Sequence, residues 1–224
     1  MADQPEFVFR DLTARTRWLA GGEVAFIFAS ALGVFGALRL VNFVEQVRTG
    51  NLTDRTQVLQ IGQSVDGLNS VVAVVLLASL LVSLIAFLMW VYRANGNSHA
   101  MGASGIRSQG WSVGSYFIPF AYIIWGYDVM SEIWRASVNA PGWKALRAPA
   151  LLMVWWLSFL FANVASGVGG LLLNEKTLAT IETGAVFLAG EYVLNIVAAI
   201  ALIVVVSKVR RQQLAQQAAP VIPS

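Results

Sequence analysis

Three short motifs in the middle of the chain decide how it folds. They read WVYRANGN at residues 90–97, GWSVGSYFIP at 110–119 and YDVMSEIWRAS at 127–137. Long apolar runs stand on both sides of this region, whereas the motifs mix aromatic residues with arginine, asparagine and glutamate. The central region is therefore neither a plain lipid-soluble helix nor a plain polar tail.

The composition of the 224 residues is typical of a membrane protein. Hydrophobic residues make up 57% of the chain and charged residues 12%, whereas soluble domains carry about 25% charged residues. There is no cysteine and one histidine, His99, which excludes thiol catalysis, disulfides, Cys/His zinc sites and haem held by two histidines. We expect no cofactor. We also expect no nucleic-acid partner, because no basic patch is interleaved with aromatic residues.

Four apolar segments are long enough to cross a bilayer. A signal peptide would have an apolar core of about 7–15 residues, and the first segment is far longer, so we expect an uncleaved helix. At about 1.5 Å per residue, each segment covers most or all of the roughly 30 Å hydrocarbon core. The predicted spans are residues 18–44, 71–92, 150–171 and 185–206.

Small residues recur at every fourth position in two of these spans. Small side chains on one face let a neighbouring helix approach closely in lipid, so each series predicts a packing seam. The first series is Gly21, Ala25, Ala29, Gly33 and Ala37. The second is Ser158, Ala162, Ser166 and Gly170.

The distribution of lysine and arginine selects the topology. With four spans, eleven of these residues lie in inside segments and three in outside segments. A fifth span through 111–127 would place six inside and eight outside, against the positive-inside rule. We therefore expect a cytoplasmic N-terminal segment at 1–17, a single membrane domain at 18–206 and a cytoplasmic tail at 207–224. The Gln/Ala/Pro composition of the tail predicts disorder.

The segment 111–138 must then lie on or dip into the inner leaflet without crossing it. Pro119 breaks the first half, so we expect two short helices that meet at a bend. On the second helix an apolar arc and a charged arc lie about 140° apart, which suits a membrane surface or a groove between spans. The apolar arc is Ile123, Tyr127, Met130 and Trp134, and the charged arc is Asp128, Glu132, Arg135 and Asn139.

The predicted fold class is an all-α integral membrane protein. It is a four-transmembrane-helix bundle with a cytoplasmic-side interfacial helix-bend-helix between spans 2 and 3. Before the second span, residues 45–68 are polar with apolar residues at helical spacing. Thr53 or Asp54 is placed to cap a short amphipathic helix there, which either lies on the membrane or runs into the span.

The central motifs resemble a bacterial membrane family catalogued as domain of unknown function 4328. The likeness rests on Arg93-Ala-Asn95, on Trp111-x-x-Gly114-x-x-x-Ile118-Pro119 and on Tyr127-x-x-Met130-x-Glu132-Ile-Trp134-Arg135-x-Ser137. It extends from Phe9-Arg10-Asp11-Leu12 to the fourth span. The resemblance implies a helical integral membrane protein and brings no activity with it.

Three charged residues fall within the predicted spans, where charge is costly and points to function by default. They are Glu23, Arg39 and Glu191. Arg39 and Glu191 both lie toward the outer ends of their spans, so a pair between them is possible. One reading makes the three residues structural pairs and snorkelling side chains. The other is a proton or ion relay that uses Glu23 and Glu191.

The polar residues of the central motifs have two readings as well. The candidate cluster is Arg93, Asn95, Asn97, Glu132 and Arg135. In the first reading it ties the helix after Pro119 to the end of the second span, and Glu132 faces Arg93 or Asn95 in a partly dry site. In the second it belongs to a docking surface for a partner protein or an anionic lipid headgroup. The cations of that surface would be Arg93, Arg107, Arg135, Lys144 and Arg147.

Catalysis finds little support in the sequence. An intramembrane serine protease needs a base beside its serine, and His99 lies outside every predicted span, in a Gly/Ser loop where we expect it to face solvent. A two-aspartate protease needs two membrane aspartates, and only Asp128 comes close. We expect a non-enzymatic protein of the bacterial inner membrane that acts as a scaffold or regulatory subunit. The alternative is a small oligomeric transporter or channel that uses Glu23 and Glu191. Expected partners are the lipid bilayer, further copies of the chain or another membrane protein.

Overall fold

The architecture is all-helical. A computed structural model describes residues 7–175 and 177–218, and within these residues there are six α-helices, two short 3-10 helices and no strand. The four long helices are α1 (Thr13–Arg48), α2 (Arg55–Ala100), α5 (Ala150–Asn174) and α6 (Leu178–Ala218). Between α2 and α5 lie two short helices, α3 (Gln109–Gly114) and α4 (Tyr122–Val138).

The four long helices are each long and apolar enough to cross a membrane. This confirms the prediction of an all-α chain with four long apolar helices. Three of them reach well beyond the predicted spans, because those spans mark where hydrophobic residues end and not where helical hydrogen bonding ends. Arginine, glutamine and leucine, which are common in these extensions, all favour the helical conformation.

The polar segment before the second span turns out to be the first part of α2. After α1 the chain turns at Gly50, whose φ of 73° suits glycine. The side chain of Asp54 then accepts a hydrogen bond from the backbone N–H of Gln57 at 2.9 Å, as an N-terminal cap does. From Arg55 the helix continues without a break into the apolar run. Of the two alternatives for this segment, the structure has the helix that runs into the span.

The C-terminal region differs from the prediction. The tail predicted to be disordered from residue 207 is helical to Ala218. Lys208, Arg210 and Arg211 end the hydrophobic run, but they do not end the helix, because lysine, arginine, glutamine and alanine are all good helix formers. The rest of the predicted tail, 219–224, lies outside the described residues, as do residues 1–6 of the N-terminal segment.

The chain divides into two compact units, each assembled from segments far apart in sequence. The first unit contains the described residues up to Gly22, Ser83–Val154 and the described residues from Ala201. The second contains Glu23–Val82 and Trp155–Ile200.

Small residues set the closest approaches within the second unit. A Cβ at Gly33 would lie 2.8 Å from the ring of Tyr192, so this member of the first series does allow a large side chain to approach the backbone. In α5 the close approach is at Gly169, where a Cβ would lie 3.1 Å from the carbonyl oxygen of Gly184 on α6. The second series predicted Gly170, whose Cβ would meet no atom within 4 Å. The closest backbone approach is thus beside the predicted series, whose members Ser158 and Ala162 are themselves buried.

A glycine-containing loop packs against α4 in the first unit. Gly102 and Gly105 have φ values of 89° and 70°, which side chains other than glycine rarely adopt. With these turns the loop buries Ala103 and Ile106 in a small apolar cluster with Trp143. The indole N–H of Trp143 donates to the carbonyl oxygen of Ser104 at 3.0 Å. The loop is thereby held in one conformation beside α4.

The bend between α3 and α4 is held by one buried hydroxyl. The Tyr116 hydroxyl donates to the carbonyl oxygen of Gly126 at 2.9 Å, and its ring meets the edge of Phe87 at 5.3 Å. Burial raises the pKa of Tyr116, so the hydroxyl stays protonated and keeps its donor. Next to Pro119, Phe120 has a φ of 63°, a strained conformation for a residue with a Cβ.

Candidate functional site

Arg107 gathers the two acidic side chains of α4. It lies in the loop after α2, and its guanidinium Nη1 bonds to Glu132 Oε1. Its Nη2 lies 3.4 Å from Asp128 Oδ2. The backbone N–H of Arg107 also donates to Glu132 Oε2 at 3.3 Å. Both oxygens of one carboxylate are therefore bound by a single residue.

The backbone carbonyl oxygen of Arg107 is bound by two side chains of α2. It accepts from Asn95 Nδ2 at 3.0 Å and lies 3.0 Å from His99 Nε2. Because a carbonyl oxygen can only accept, Nε2 carries the proton. We refer to Asn95, His99, Arg107, Asp128 and Glu132 as the Arg107 cluster.

His99 is not the solvent-facing loop residue that the sequence suggested. It belongs to the last turn of α2, and its half-buried ring stacks on Phe7 with centroids 4.4 Å apart. Helix α2 reaches this far because its last turns, although polar, are anchored by contacts outside the helix.

Burial and charge oppose each other at Glu132. Its side chain is 13% exposed, and this burial raises the pKa of the carboxyl. The backbone N–H of Arg107, the guanidinium of Arg107 and the nearby Arg135 lower the pKa, whereas Asp128 raises it. Burial is the largest of these effects, so the charged form of Glu132 depends on Arg107.

The structure gives Glu132 a different partner from the two that the sequence suggested. Glu132 lies in a partly dry site as predicted, but it faces Arg107 and not Arg93 or Asn95. Asn95 reaches the same cluster only through the Arg107 carbonyl group. Helical spacing could not reveal this, because Arg107 stands on a loop whose path depends on Gly102 and Gly105.

Asn97 belongs to a second, separate group of polar contacts. Its Oδ1 accepts from the backbone N–H of Arg10 at 2.9 Å, and its Nδ2 donates to the Arg10 carbonyl oxygen at 2.8 Å. This two-point contact fixes the segment that precedes α1. The same Nδ2 also donates to Gln213 Oε1 at 2.9 Å.

Gln213 extends these contacts to α4. Its Nε2 donates to the carbonyl oxygen of Ala94 at 3.1 Å and to Ser137 Oγ at 3.0 Å, and the residue is 1% exposed. One turn on, Gln216 Nε2 donates to the Ala136 carbonyl oxygen at 3.1 Å. We call this the Gln213 network, made up of Arg10, Ala94, Asn97, Ser137, Gln213 and Gln216.

The sequence analysis missed both glutamines because it assigned them to a disordered tail. The signal was nevertheless present. Gln213 and Gln216 stand three residues apart in a run of Gln, Leu and Ala, which is helix-forming and would place both on one face. A polar face at the end of an apolar helix is a place to look for contacts with a neighbouring helix end.

Arg135 contacts Ser131 and Trp143, although it also lies close to Glu132. Its Nε donates to the carbonyl oxygen of Ser131 at 3.2 Å, and its guanidinium lies 4.8 Å from the ring of Trp143. Lys144 lies 5.8 Å from the same ring. Together with the carboxylates on Arg107, these contacts give three of the five predicted lipid-binding cations a partner within the protein.

Arg93 lies among other arginines. Arg15 Nη1 bonds to the carbonyl oxygen of Met89, one helical turn before Arg93, and Arg10 is held at Asn97, one turn after it. Arg10 and Arg15 are close enough for their charges to repel that of Arg93. We call Arg10, Arg15 and Arg93 the arginine cluster. The carboxylates of Asp128, Glu132 and Glu182 form their ion pairs with Arg107 and Arg48, not with these three arginines.

An ion pair between Arg39 and Glu191, which the sequence left possible, is not formed among the described residues. Glu191 hydrogen-bonds with Ser166 and Asn195, and the Arg39 guanidinium lies 6.0 Å from the ring of Phe35. Glu23 is buried, with 6% of the residue exposed. An ion pair of the second unit that was not predicted joins Arg48 to Glu182 at 3.1 Å. The described residues contain no group of His, Cys, Asp or Glu side chains suited to a metal ion.

Comparison with known proteins gives one match. The family model described as "Domain of unknown function (DUF4328)" matches residues 51–211. No curated protein and no solved structure matches the chain. The matched region contains the three central motifs, the whole Arg107 cluster and the start of the polar end of α6.

Proposed function

The chain belongs to the family of domain of unknown function 4328, and we propose that it is a multi-pass protein of the bacterial cell membrane that acts by binding. In this proposal it serves as a scaffold or regulatory subunit, with both termini in the cytoplasm. Its partners are the lipid bilayer and either further copies of the chain or another membrane protein.

The observation that carries the proposal is the apolar exterior of the long helices. Large apolar side chains are exposed along them, among them Val74 at 69%, Phe28 at 65% and Phe161 at 59%. Contiguous exposed apolar surface is unusual in a water-soluble monomer. Helices that satisfy their own backbone hydrogen bonds can place such side chains in lipid without cost.

The bend between α3 and α4 supports an interfacial position for this part of the chain. The most exposed large apolar residue is Phe120, at 83%, and Phe117 and Ile124 beside it are each exposed at 66%. The rings of Trp111 and Trp125 lie 5.7 Å apart on the two helices that flank the bend. Tryptophan is enriched at membrane–water interfaces, so we propose that the bend dips into the cytoplasmic leaflet.

Polar side chains of the first unit bind one another and the backbone, which favours a binding role over catalysis. The two acids of α4, Asp128 and Glu132, are bound by Arg107, and the buried amides of Asn97 and Gln213 bind backbone and side-chain groups. These contacts connect α2, α4 and α6. They are suited to fixing the shape of a surface.

Single cysteines test membrane insertion and topology, because the chain has none of its own. Cysteines at Asn51 and Glu175 should react with a membrane-impermeant maleimide in intact cells. Cysteines at Ser104, Asn139 and Gln217 should react only after permeabilisation. All five residues are exposed, so poor reactivity would not result from burial in the protein. Labelling of position 139 from outside would contradict the topology, and release of the protein by alkaline carbonate would contradict membrane insertion.

A second candidate function is a small oligomeric transporter or channel. The observation in its favour is the polar group of Glu191, Ser166 and Asn195 within an apolar part of the second unit, together with the buried Glu23. A carboxyl group in such surroundings can bind a proton or a cation. Proteoliposomes that dissipate a proton gradient, with loss of the activity in Glu191→Gln, would favour this function over the first.

A further inference from the structure

We propose that the arginine cluster, Arg10, Arg15 and Arg93, is a binding site for the headgroup phosphate of an anionic phospholipid. The site rests on the proposed function, because it requires the long helices to be embedded in a bilayer. It differs from the surface that the sequence suggested, from which it keeps only Arg93.

Contacts to one stripe of α2 hold the Arg15 side chain and the backbone of Arg10 beside Arg93. Met89, Arg93 and Asn97 are spaced four residues apart and so share a helix face. Arg15 bonds to the Met89 carbonyl oxygen, and Asn97 holds both backbone groups of Arg10. Arg93 therefore stands between the attachment points of the other two arginines.

A further contact fixes the start of α1 against the same part of α2. The indole N–H of Trp90 donates to Thr16 Oγ1 at 3.0 Å, and both residues are buried. Thr16 follows Arg15 directly, so this bond limits where the Arg15 side chain can go. The folded structure thus brings Arg10 and Arg15 beside Arg93, with the backbone of Arg10 and the side chain of Arg15 held in place.

Three adjacent positive charges repel one another and need a counter-charge. The carboxylate nearest in sequence is Asp11, which accepts from the backbone N–H of Thr13 at 2.8 Å and from its hydroxyl at 2.7 Å. The cations that act on Asp11 are Arg210 and Arg17. Asp11 is therefore engaged by Thr13, and an external anion is the simplest counter-charge for the arginine cluster.

The surroundings of the cluster indicate that this anion belongs to a lipid. Arg15 and Arg93 stand at the ends of the apolar runs 18–44 and 71–92, at the level where headgroups meet acyl chains. Trp18 and Tyr92 beside them are exposed at 75% and 45%, as is typical of aromatic residues at this level. The exposed Met89 continues the surface toward the apolar run. A headgroup phosphate would meet the arginines while its acyl chains meet this apolar surface.

Arginine is well suited to this ligand. The planar guanidinium presents a fork of N–H donors that matches two phosphate oxygens. Three such groups would bind a phosphate more strongly in phosphatidylglycerol, which has a net negative charge, than in zwitterionic phosphatidylcholine. The site should therefore select lipids by charge.

The test measures lipid preference in the full chain. Wild-type protein is reconstituted in nanodiscs of phosphatidylcholine that contain trace spin-labelled phosphatidylglycerol or spin-labelled phosphatidylcholine, and the motionally restricted fraction of each label is compared. We expect wild type to prefer phosphatidylglycerol. Each of Arg10→Gln, Arg15→Gln and Arg93→Gln should lower that preference about fivefold, the factor expected for one cation near an anionic lipid.

Controls separate the site from general charge and from misfolding. Arg211→Gln removes an exposed cation of the same unit, and Arg55→Gln one from the other end of α2; both should keep the preference. Arg93→Lys keeps the charge and should retain most of it. Circular dichroism and the melting temperature in phosphatidylcholine identify any variant that fails to fold, and the folded glutamine variants at the other positions then carry the test.

Several outcomes would overturn the proposal. They are an equal preference in wild type and in the folded triple variant, an equal loss in Arg211→Gln, and complete competition by millimolar inorganic phosphate, which would assign the site to a free anion. If wild type shows no preference for phosphatidylglycerol but the double variant Asp3→Asn and Glu6→Gln does, the counter-charge belongs to the chain itself. In each case the labelling pattern of the single cysteines would still stand, so failure of the lipid site and failure of the proposed function are distinguishable.

Discussion

At the scale of single residues, Arg107 provides the counter-charge for the largely buried carboxylate of Glu132. Its guanidinium binds two carboxylates, and its backbone N–H and carbonyl groups bind Glu132, Asn95 and His99. One residue thus joins the end of α2, the following loop and α4. Losing Arg107 should therefore cost more stability than losing Glu132. Glu132 would be left charged in a largely buried place, whereas Arg107 would keep Asp128 as a partner.

Arg107→Gln should destabilise the protein more than Glu132→Gln. The first change leaves a carboxylate with a 13% exposed side chain without its cation, and we expect a loss of about 2–3 kcal/mol. The second leaves Arg107 with Asp128 and should cost less than about 1 kcal/mol. Melting temperatures in detergent measure the difference, and Arg147→Gln, which removes an exposed cation from the same unit, is the matched control. Equal losses from both changes would contradict the asymmetry.

The same pair predicts a pH dependence. Burial raises the pKa of Glu132 above its value of about 4.5 in an unfolded chain. A carboxyl with a raised pKa in the folded state stabilises the protein fully below the unfolded pKa, and this contribution is lost as pH rises through the folded pKa. Without Arg107 the pKa should rise further. The deficit of Arg107→Gln relative to wild type should therefore be smallest near pH 4.5 and grow toward neutral pH, whereas a deficit independent of pH would rule this explanation out.

Gln213 provides a second test at a single position. Replacing it with leucine removes the donor to Ala94 and Ser137 and the acceptor for Asn97. Unpaired buried polar groups cost about 1–3 kcal/mol, so the melting temperature of Gln213→Leu should fall by several degrees. Gln217→Leu makes the same chemical change at an exposed position of the same helix and should melt like wild type. Similar melting of both variants would show that the Gln213 network contributes little.

At the scale of helices, the meeting of α5 and α6 depends on glycine. The Cβ that Gly169 lacks would lie 3.1 Å from the Gly184 carbonyl oxygen, and a backbone atom cannot move aside as a flexible side chain can. Close contacts of this kind allow helices to associate in lipid, where no hydrophobic driving force acts between them.

Gly169→Ile should therefore disturb the packing of these helices. Overpacking typically costs about 1–3 kcal/mol, and we expect a lower melting temperature in detergent and faster proteolysis. Gly167 is on the same helix, is exposed, and has no atom within 4 Å of its Cβ position, so Gly167→Ile should be tolerated. If the two variants behaved alike, Gly169 would not be the contact point.

At the scale of the whole molecule, neither compact unit is a contiguous piece of the chain. The first unit needs the start of α1, the region from Ser83 to Val154 and the end of α6. Within it, Asn97 is satisfied by Arg10 and Gln213, which come from opposite ends of the sequence. The folding of this unit is therefore expected to depend on the complete chain.

A fragment of residues 83–154 alone should not reach the native structure. It contains the Arg107 cluster and α4 but lacks the partners of Asn97 and Ser137. We expect limited proteolysis to degrade it much faster than the same region of the full chain. Addition of peptides corresponding to 7–22 and 201–218 should restore some protection. A fragment that is as resistant as the full protein without these peptides would show that the long-range contacts are dispensable.

The sequence by itself determined the helical class and the four long apolar helices. These follow from local properties: the length of the apolar runs, the low charge, and the turn and capping residues such as Gly50 and Asp54. It also named Asn95, Asn97 and Glu132 as candidate residues, and the structure gives all three hydrogen-bond partners.

Only the tertiary structure decided which groups those residues bind. Glu132 binds Arg107, 25 residues away, and Asn97 binds Gln213, 116 residues away, in a segment whose composition had suggested disorder. Helical periodicity orders residues on one helix but carries no information about where a loop or a distant helix end will lie. The positions of Arg107 and Gln213 follow from glycine turns and from burial against other elements. These are properties of the folded chain as a whole, because a buried polar group finds its partner only when the surrounding helices have packed.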